Sequence, residues 1–270
     1  VRSRSNKWAV WLIFHAWGTI FSVSTLAVMI PNPITWILAI LVIGSRQLGL
    51  VILMHECAHG SLFRTGWCNR FAGQVFCAWP MLADLPIYRK YHLPHHLNTQ
   101  TNNDPDLLLT KHYPISRNSM KRKIVRDLTG RTGLNQRTGQ IIAAFGDPSL
   151  DLVSRVTKFL REMGPQLCVQ LLLFSLAYSL HLAWVYFAFW LLPMLTWHQL
   201  VLRIRNIAEH ACVGAPEHPF QNTRTTEVSL MERIFIAPYW VNYHLEHHLL
   251  MWVPCYRLPL FHRLLADNGH

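Results

Sequence analysis

His55-Glu56-Cys57-Ala58-His59 sets two imidazoles four residues apart around a carboxylate. On a helix, residues four apart share a face, so both histidines can reach one metal ion with Glu56 beside it. A zinc protease uses this HExxH spacing, with the glutamate as general base and one further ligand completing the zinc site. The chain offers far more than one further ligand. "HLPHH" gives His92, His95 and His96, and "HLEHH" gives His244, His247 and His248. "RNIAEH" adds His210, with Asn206 four residues earlier on the same helical face. Imidazole suits Zn, Cu, Fe and Ni, and these nine histidines exceed what a single ion can take. Two metal ions is the economical reading. It leaves Glu56 and Glu246 to accept hydrogen bonds from ligand N–H groups rather than to activate water. The remaining seven histidines, His15, His112, His181, His198, His218, His262 and His270, stand alone and are read as ordinary surface or core residues. Pro94 does not fit a helix interior, so a helix is expected to begin there, with His92 reaching in from the preceding turn.

The elements that must position these clusters are apolar. The chain is 51% hydrophobic and only 14% charged, against roughly 25% charged for a soluble domain, and its mean hydropathy is +0.17. Four segments, at about 8–30, 34–54, 165–180 and 182–201, can cross a hydrocarbon core of about 30 Å, which takes about 20 helical residues. Pro31-Asn32-Pro33 turns the chain between the first two. The short connections near 31–34 and 179–183 carry no Lys or Arg, whereas the stretch from Gly60 to Gly164 carries fifteen, and Arg2, Arg4 and Lys7 precede the first helix. Positive charge stays inside, so both termini and every histidine cluster should be cytoplasmic. Trp36 and Trp184 would mark the outer interface, Trp8 and Trp197 the inner one.

The net charge of +11 is then explained by a basic face beside anionic lipid. Basic runs interleaved with aromatics are absent, so nucleic acid is not an expected partner. The six cysteines form no C-x-x-C pair, which argues against a disulfide framework or a zinc ribbon. The expected fold is an all-α integral membrane protein, a single domain over 1–270. Four transmembrane helices form two hairpins, and a cytosolic helical cap from 55–164 and 202–270 carries the metal site. Residues 71–86 should lie in or on the inner leaflet, and 118–137, basic and polar, should be the least ordered part. Arg46, inside the second span, is either a functional residue facing the interior or a side chain snorkelling to a polar region.

The set "HECAH", "HLPHH" and "HLEHH", with the extra "NIAEH", resembles the membrane fatty acid desaturase family, whose boxes the related hydroxylases share. The resemblance runs from the first helix to about Cys255. It implies a mushroom of four transmembrane helices under a cytosolic cap. The cap would hold two iron ions by histidine, activate O2 and attack an unreactive C–H bond of an acyl chain. His55, His59, His92, His95, His96, His244, His247 and His248 fall on the family's ligand positions. His210 resembles its additional ligand and Asn206 its water-mediated contact. The acyl-CoA branch has a longer HxxxxH first box, so HxxxH places this chain elsewhere. "NNDPDL" (Asn102 to Leu107) also resembles family members, with no role assigned.

Desaturation is the first expectation for the reaction. Lipid hydroxylation, or loss of CO2 to a terminal alkene when a free carboxylate is positioned nearby, would use the same scaffold. Arg46 would meet an acyl carboxylate or headgroup as a substrate-binding residue. No haem-binding segment is visible, so electrons are expected from a separate donor of ferredoxin, rubredoxin or cytochrome b5 type. Lys121, Arg122, Lys123 and Arg126 offer it a docking patch, or alternatively a contact to lipid headgroups. Two readings from other classes remain: an intramembrane zinc protease, which leaves both triplets without use, and a non-catalytic metal carrier, which would bind metal without consuming oxygen.

Overall fold

Residues 1–214 and 218–269 are described by the computed structural model; His270 lies outside the described residues. Helix α1 (Asn6–Met29) starts where the Ser5 hydroxyl accepts from the Trp8 N–H. Helix α2 (Pro33–His59) starts with a reciprocal cap: the Asn32 side chain accepts from the Ile34 and Thr35 N–H groups, and Thr35 Oγ1 accepts from the Asn32 N–H. Pro33 costs nothing there, because the first helical N–H has no intrahelical partner. Three turn residues thus fold α1 and α2 into an antiparallel hairpin. α2 stops immediately after His59 because Gly60 adopts φ +69°, a left-handed conformation that glycine takes without a Cβ penalty.

After α2 come α3 (Gly66–Ala72), a π-turn at Gly73–Ala78 and a short 3-10 turn at Trp79–Met81, then α4 (Leu85–Asn98) and the one-turn α5 (Leu107–Thr110). Next are α6 (Arg117–Leu128), α7 (Arg131–Ala144) and the long α8 (Leu152–Ser179). A nearly continuous rod follows: α9 (Ala183–Tyr186), a π-turn at Phe187–Leu191, α10 (Leu192–Leu195) and α11 (Trp197–His210). It breaks at Thr196, whose φ −117° and ψ −90° are not helical. Three short helices end the chain: α12 (Leu230–Phe235), α13 (His244–Leu249) and α14 (Leu258–Asp267). There is no strand among the described residues. α2 is the centre of the molecule. It is buried almost continuously from Ile43 to Ala58, with α1, α4 and α11 against it.

Among the described residues, three helices are long and apolar enough to cross a membrane: Asn6–Met29, Pro33–His59 and the Ala183–His210 rod. The stretch expected as a further span, 165–180, forms the second half of α8. That 28-residue helix runs straight through Pro165 and begins at an Asp151 cap. Its first half carries Arg155, Lys158, Arg161 and Glu162, so as a whole it lacks the apolarity of the other three.

Two expectations are corrected. The 118–137 stretch is mostly helical, in α6 and α7, because tertiary contacts override its polarity: the fully buried Asp127 takes Nε and Nη2 of Arg203 on α11 at 2.5 and 2.8 Å. α4 does not begin at Pro94. It begins at Leu85, where the Asp84 side chain accepts from the Ile87 N–H, and Pro94 sits inside it. His92 is therefore a helical residue on the same rod as His95 and His96. The 71–86 stretch packs by Gly73 against Cys57 of α2, and the Phe76 carbonyl accepts from Trp17 Nε1 on α1. At the other end of the bundle Trp36 and Trp184 pack together, ring centroids 5.5 Å apart.

Candidate metal centre

Nine histidines meet in two adjoining clusters. His55, His59, His92, His96 and His247 form one, and His95, His210, His244 and His248 the other; within each group one nitrogen from every ring lies within 4.8 Å of all the others. Helical geometry explains how each triplet is divided. On α4, His92 and His96 are four apart and face the first cluster, while His95 points to the second. On α13 the division is reversed: His244 and His248 face the second cluster and His247 the first. α2 adds the pair His55 and His59 to the first cluster. α11 adds His210 to the second, with Asn206 one turn earlier on the wall of the adjoining pocket. The first cluster therefore draws an i,i+4 pair from each of two helices and a single histidine from a third, whereas the second draws one such pair from α13 and single histidines from α4 and α11, with Asn206 one turn before His210.

The nitrogens crowd as ligands do. His59 and His92 Nε2 lie 3.1 Å apart, His92 and His96 2.9 Å, His96 and His247 3.1 Å, and His244 and His210 2.8 Å. A neutral imidazole carries one proton on two nitrogens. His92 Nε2 faces two other Nε2 atoms and can satisfy at most one by donation. His55 Nε2 and His248 Nε2 are buried with no hydrogen-bond partner at all. Convergent lone pairs with too few protons between them suit a cation. With metal–nitrogen bonds of about 2.1 Å, neighbouring ligand nitrogens lie about 3.0 Å apart at right angles, so the spacing fits. The donor set, all imidazole, suits iron, zinc or copper.

Burial, and then the neighbouring histidines, hold His92, His244, His247 and His248 well below the ordinary histidine value. His96 is lowered for the same two reasons. These rings are neutral at pH 7, and a neutral ring is the form that binds metal.

The carboxylates around the clusters are not all where the sequence suggests. Glu56 accepts from Ser61 Oγ at 2.9 Å and from the Cys255 N–H at 2.8 Å. Its Oε1 is 3.7 Å from His55 Nδ1 and 3.9 Å from His247 Nδ1, beside both rings but beyond hydrogen-bond length. Glu246 turns away from the box histidines. Its partners are Thr225 Oγ1 and Nδ1 of His262, the latter at 2.6 Å, so a histidine read as ordinary has a specific contact.

The carboxylate bonded directly to a box histidine is Asp104, in the "NNDPDL" stretch: His95 Nδ1 donates to it at 2.7 Å. Burial pushes the Asp104 carboxyl up, but bonds from His95 and from the N–H groups of Gln100 and Asp106 more than offset this and hold it below the usual carboxylate range. Asp106 Oδ2 stands 3.7 Å from the same His95 nitrogen. Glu209, paired with Arg205 at 2.7 Å, lies 3.6 Å from His244 Nε2, and Thr99 Oγ1 lies 3.2 Å from His248 Nδ1. Asp104 and Asp106 could have been suspected in sequence as acids within a dozen residues of a triplet. Glu209 and Thr99 carry no such signal.

A pocket of about 200 Å³ opens beside the clusters, between Tyr88, Tyr91, Leu202, Arg205 and Asn206. Tyr88 stacks on His92 with centroids 5.0 Å apart. Arg46 is not part of this arrangement. It precedes His55 by nine residues, about 14 Å along the α2 axis and two and a half turns away, so it points to the opposite face.

Comparison with known proteins agrees with the geometry. The sequence profile described as "Fatty acid desaturase" matches residues 31–269. The chain is 26% identical to a dihydrorhizobitoxine desaturase of Bradyrhizobium elkanii, over 93% of this chain and 74% of that protein. It is 25% identical to an sn-1 oleoyl-lipid 12-desaturase of Synechocystis sp., over 87% of this chain and 68% of that one. A bifunctional fatty acid conjugase/Delta(12)-oleate desaturase of Punica granatum matches over 30% of the chain at 29% identity. With a family match over most of its length and two metal-ready histidine clusters inside that match, the chain belongs to the fatty acid desaturase family and is an oxidoreductase.

Proposed function

We propose that the protein desaturates a fatty acyl or lipid chain, using O2 at two iron ions held by the nine histidines. The observation that carries this reading is the division of both triplets between two adjoining clusters, which a single-metal hydrolase would not need. Held there, two iron ions would supply the redox chemistry that reduces O2 and removes hydrogen from an unactivated C–H bond. His55, His59, His92, His96 and His247 would hold one ion. His95, His210, His244 and His248 would hold the other, with Asn206 contacting it through water. Asp104 would orient His95 from behind by fixing its tautomer, and Glu56 would stand as a carboxylate beside His55 and His247. The pocket at Tyr88, Tyr91 and Asn206 would present the acyl chain to the clusters.

Forming an alkene removes two hydrogens, and reducing O2 fully to water then requires a further pair of electrons and protons. A separate ferredoxin, rubredoxin or cytochrome b5-type donor would supply the electrons, and the exposed basic face of α6 (Lys121, Arg122, Arg126) would attract it. The second half of α8 would complete four membrane spans in two hairpins, with both termini and the histidines on the cytoplasmic side. Support for a fatty acyl or lipid substrate comes from two relatives named for oleoyl-lipids or oleate, while a third is named for dihydrorhizobitoxine.

The test is mass spectrometry of lipids from cells expressing the chain with labelled fatty acids, acyl-lipids or sphingoid bases. Desaturation lowers product mass by two hydrogens and vanishes in His92→Ala and His247→Ala variants. Gain of oxygen would replace the reading by hydroxylation, and loss of carbon dioxide by decarboxylation. A single zinc per chain, with activity surviving both substitutions, would overturn the two-iron assignment.

A further inference from the structure

α1, α2 and the segment from Arg233 to Trp240 line a second, open cavity of about 380 Å³. Arg46 forms part of its wall with only 7% of its surface exposed. One edge of the guanidinium is fixed: Nη2 donates to the carbonyls of Arg233 and Ile234 at 3.2 and 2.9 Å and to Ser45 Oγ at 3.2 Å. The Tyr239 ring lies 5.5 Å from its centre. The Nε atom is buried with no hydrogen-bond partner. The arginine and lysine ion pairs among the described residues are those of Lys158, Arg203 and Arg205, and Arg46 has none. Carbonyl dipoles soften a buried charge but do not neutralise it, and a guanidinium cannot shed its proton. The cavity is thus built around an uncompensated cation.

Its other polar side chains, the tryptophan indoles aside, are His15, Thr19, Arg233 and Tyr239, with the Tyr239 hydroxyl and His15 Nδ1 3.0 Å apart. Tyr239 reaches this position because it packs on Gly49, where a Cβ would stand 2.5 Å from a ring carbon. Leu12, Val42, Ile234 and Ala237, with the faces of Trp11 and Trp240, contribute the apolar part of the lining. A fixed cation, a hydroxyl and an apolar wall match an anionic head carried on an aliphatic tail.

We propose that this cavity binds an amphiphile with an oxyanion head and an aliphatic tail, Arg46 supplying the counter-charge. The site is separate from the histidine clusters. Because Arg46 and His55 face opposite sides of α2, a head bound here does not sit in the pocket at Asn206. The inference rests on the proposed lipid-embedded enzyme for its setting but not on its reaction. A carboxylate of a free fatty acid and the phosphate of an anionic lipid share the required chemistry.

The experiment uses the full chain in nanodiscs of zwitterionic phosphatidylcholine and a photoreactive fatty acid with a diazirine near its carboxylate. Crosslinked peptides are mapped by mass spectrometry, with oleate, methyl oleate and dioleoyl phosphatidate as competitors. Labelling is expected in the peptides containing Trp11 or Tyr239. Displacement by oleate identifies a fatty acid site, and displacement by phosphatidate alone a headgroup site. Arg46→Gln should lower labelling about tenfold, the cost of removing a charged hydrogen-bond partner, and Arg46→Lys should lower it less. Trp11→Ala, at an exposed rim position, should also lower labelling and covers the case in which Arg46→Gln does not fold. Labelling elsewhere only, displacement by neither anion, equal displacement by methyl oleate, or an Arg46→Gln protein labelled as well as the wild type would each overturn the proposal. Because no turnover is read, failure of the desaturase assay leaves this result intact, and the reverse also holds.

Discussion

At the residue scale, the histidine clusters depend on groups that are not themselves ligand candidates. Asp104 is the clearest. It accepts from His95 Nδ1 and from two backbone N–H groups, so the ring is held in the tautomer that leaves Nε2 free for metal. Asp104→Asn keeps the shape but loses the charge, and an amide can present its NH2 to His95 instead of accepting. The expected result is about 10–100-fold weaker metal retention, confined to the second cluster. Metal analysis after dialysis against a chelator should show one ion kept and one lost, whereas His95→Ala should lose that ion outright. Equal loss of both ions would mean that Asp104 supports the fold generally rather than His95.

At the scale of elements, α11 has to be held so that His210 and Asn206 face α13 and α4. It is anchored by Arg203, whose bidentate contact to the fully buried Asp127 ties α11 to α6. Removing the Asp127 charge leaves the partly buried Arg203 unpaired, which costs about 1–3 kcal/mol, less than for a fully buried pair. Asp127→Asn should therefore lower the thermal midpoint in detergent by several degrees, and metal in the second cluster should go before metal in the first. The double substitution Asp127→Leu with Arg203→Leu should recover most of the stability, because replacing both charges by apolar groups removes the unpaired one. A single variant as stable as the parent would show that α6 and α11 are joined by apolar packing alone.

At the scale of the whole molecule, the concentration of neutral histidines makes stability depend on pH with a definite sign. Burial, and then mutual proximity, keep His92, His244, His247 and His248 from protonating in the folded protein. In the unfolded chain they take up protons below an ordinary value of about 6.5. The unfolded state then binds more protons, so stability rises with pH through that window and falls as pH drops below about 6.5. Above it these groups contribute no slope. Metal bound to the same neutral rings strengthens the effect, since protons and metal compete. Thermal unfolding followed at several pH values should show a fall on the acid side of about 6.5 that is steeper for metal-loaded protein. A flat profile from about pH 5 to 7 would contradict the assignment of these rings as buried and neutral.

Much of this was legible in the sequence for a physical reason: ligand chemistry and membrane crossing both leave local signatures. Spacings of three and four put the histidines of each triplet within reach of one another, and runs of apolar residues give helices of spanning length. α1, α2 and the Ala183–His210 rod lie close to where hydropathy put them. Two local rules misled. Pro94 suggested a helix start, yet α4 already runs from Asp84, which supplies the cap. The polarity of 118–137 suggested irregular chain, yet the stretch is mostly helical, and Asp127 ties α6 to Arg203 on a distant helix. The sequence by itself determined the histidine spacings and the apolar rods. Only the tertiary structure decided which histidine faces which cluster, that Asp104 rather than Glu246 stands behind a box histidine, and that Arg46 looks away from the clusters into a cavity of its own. Those outcomes depend on helix rotation and packing between residues far apart in the chain, and no local spacing encodes them.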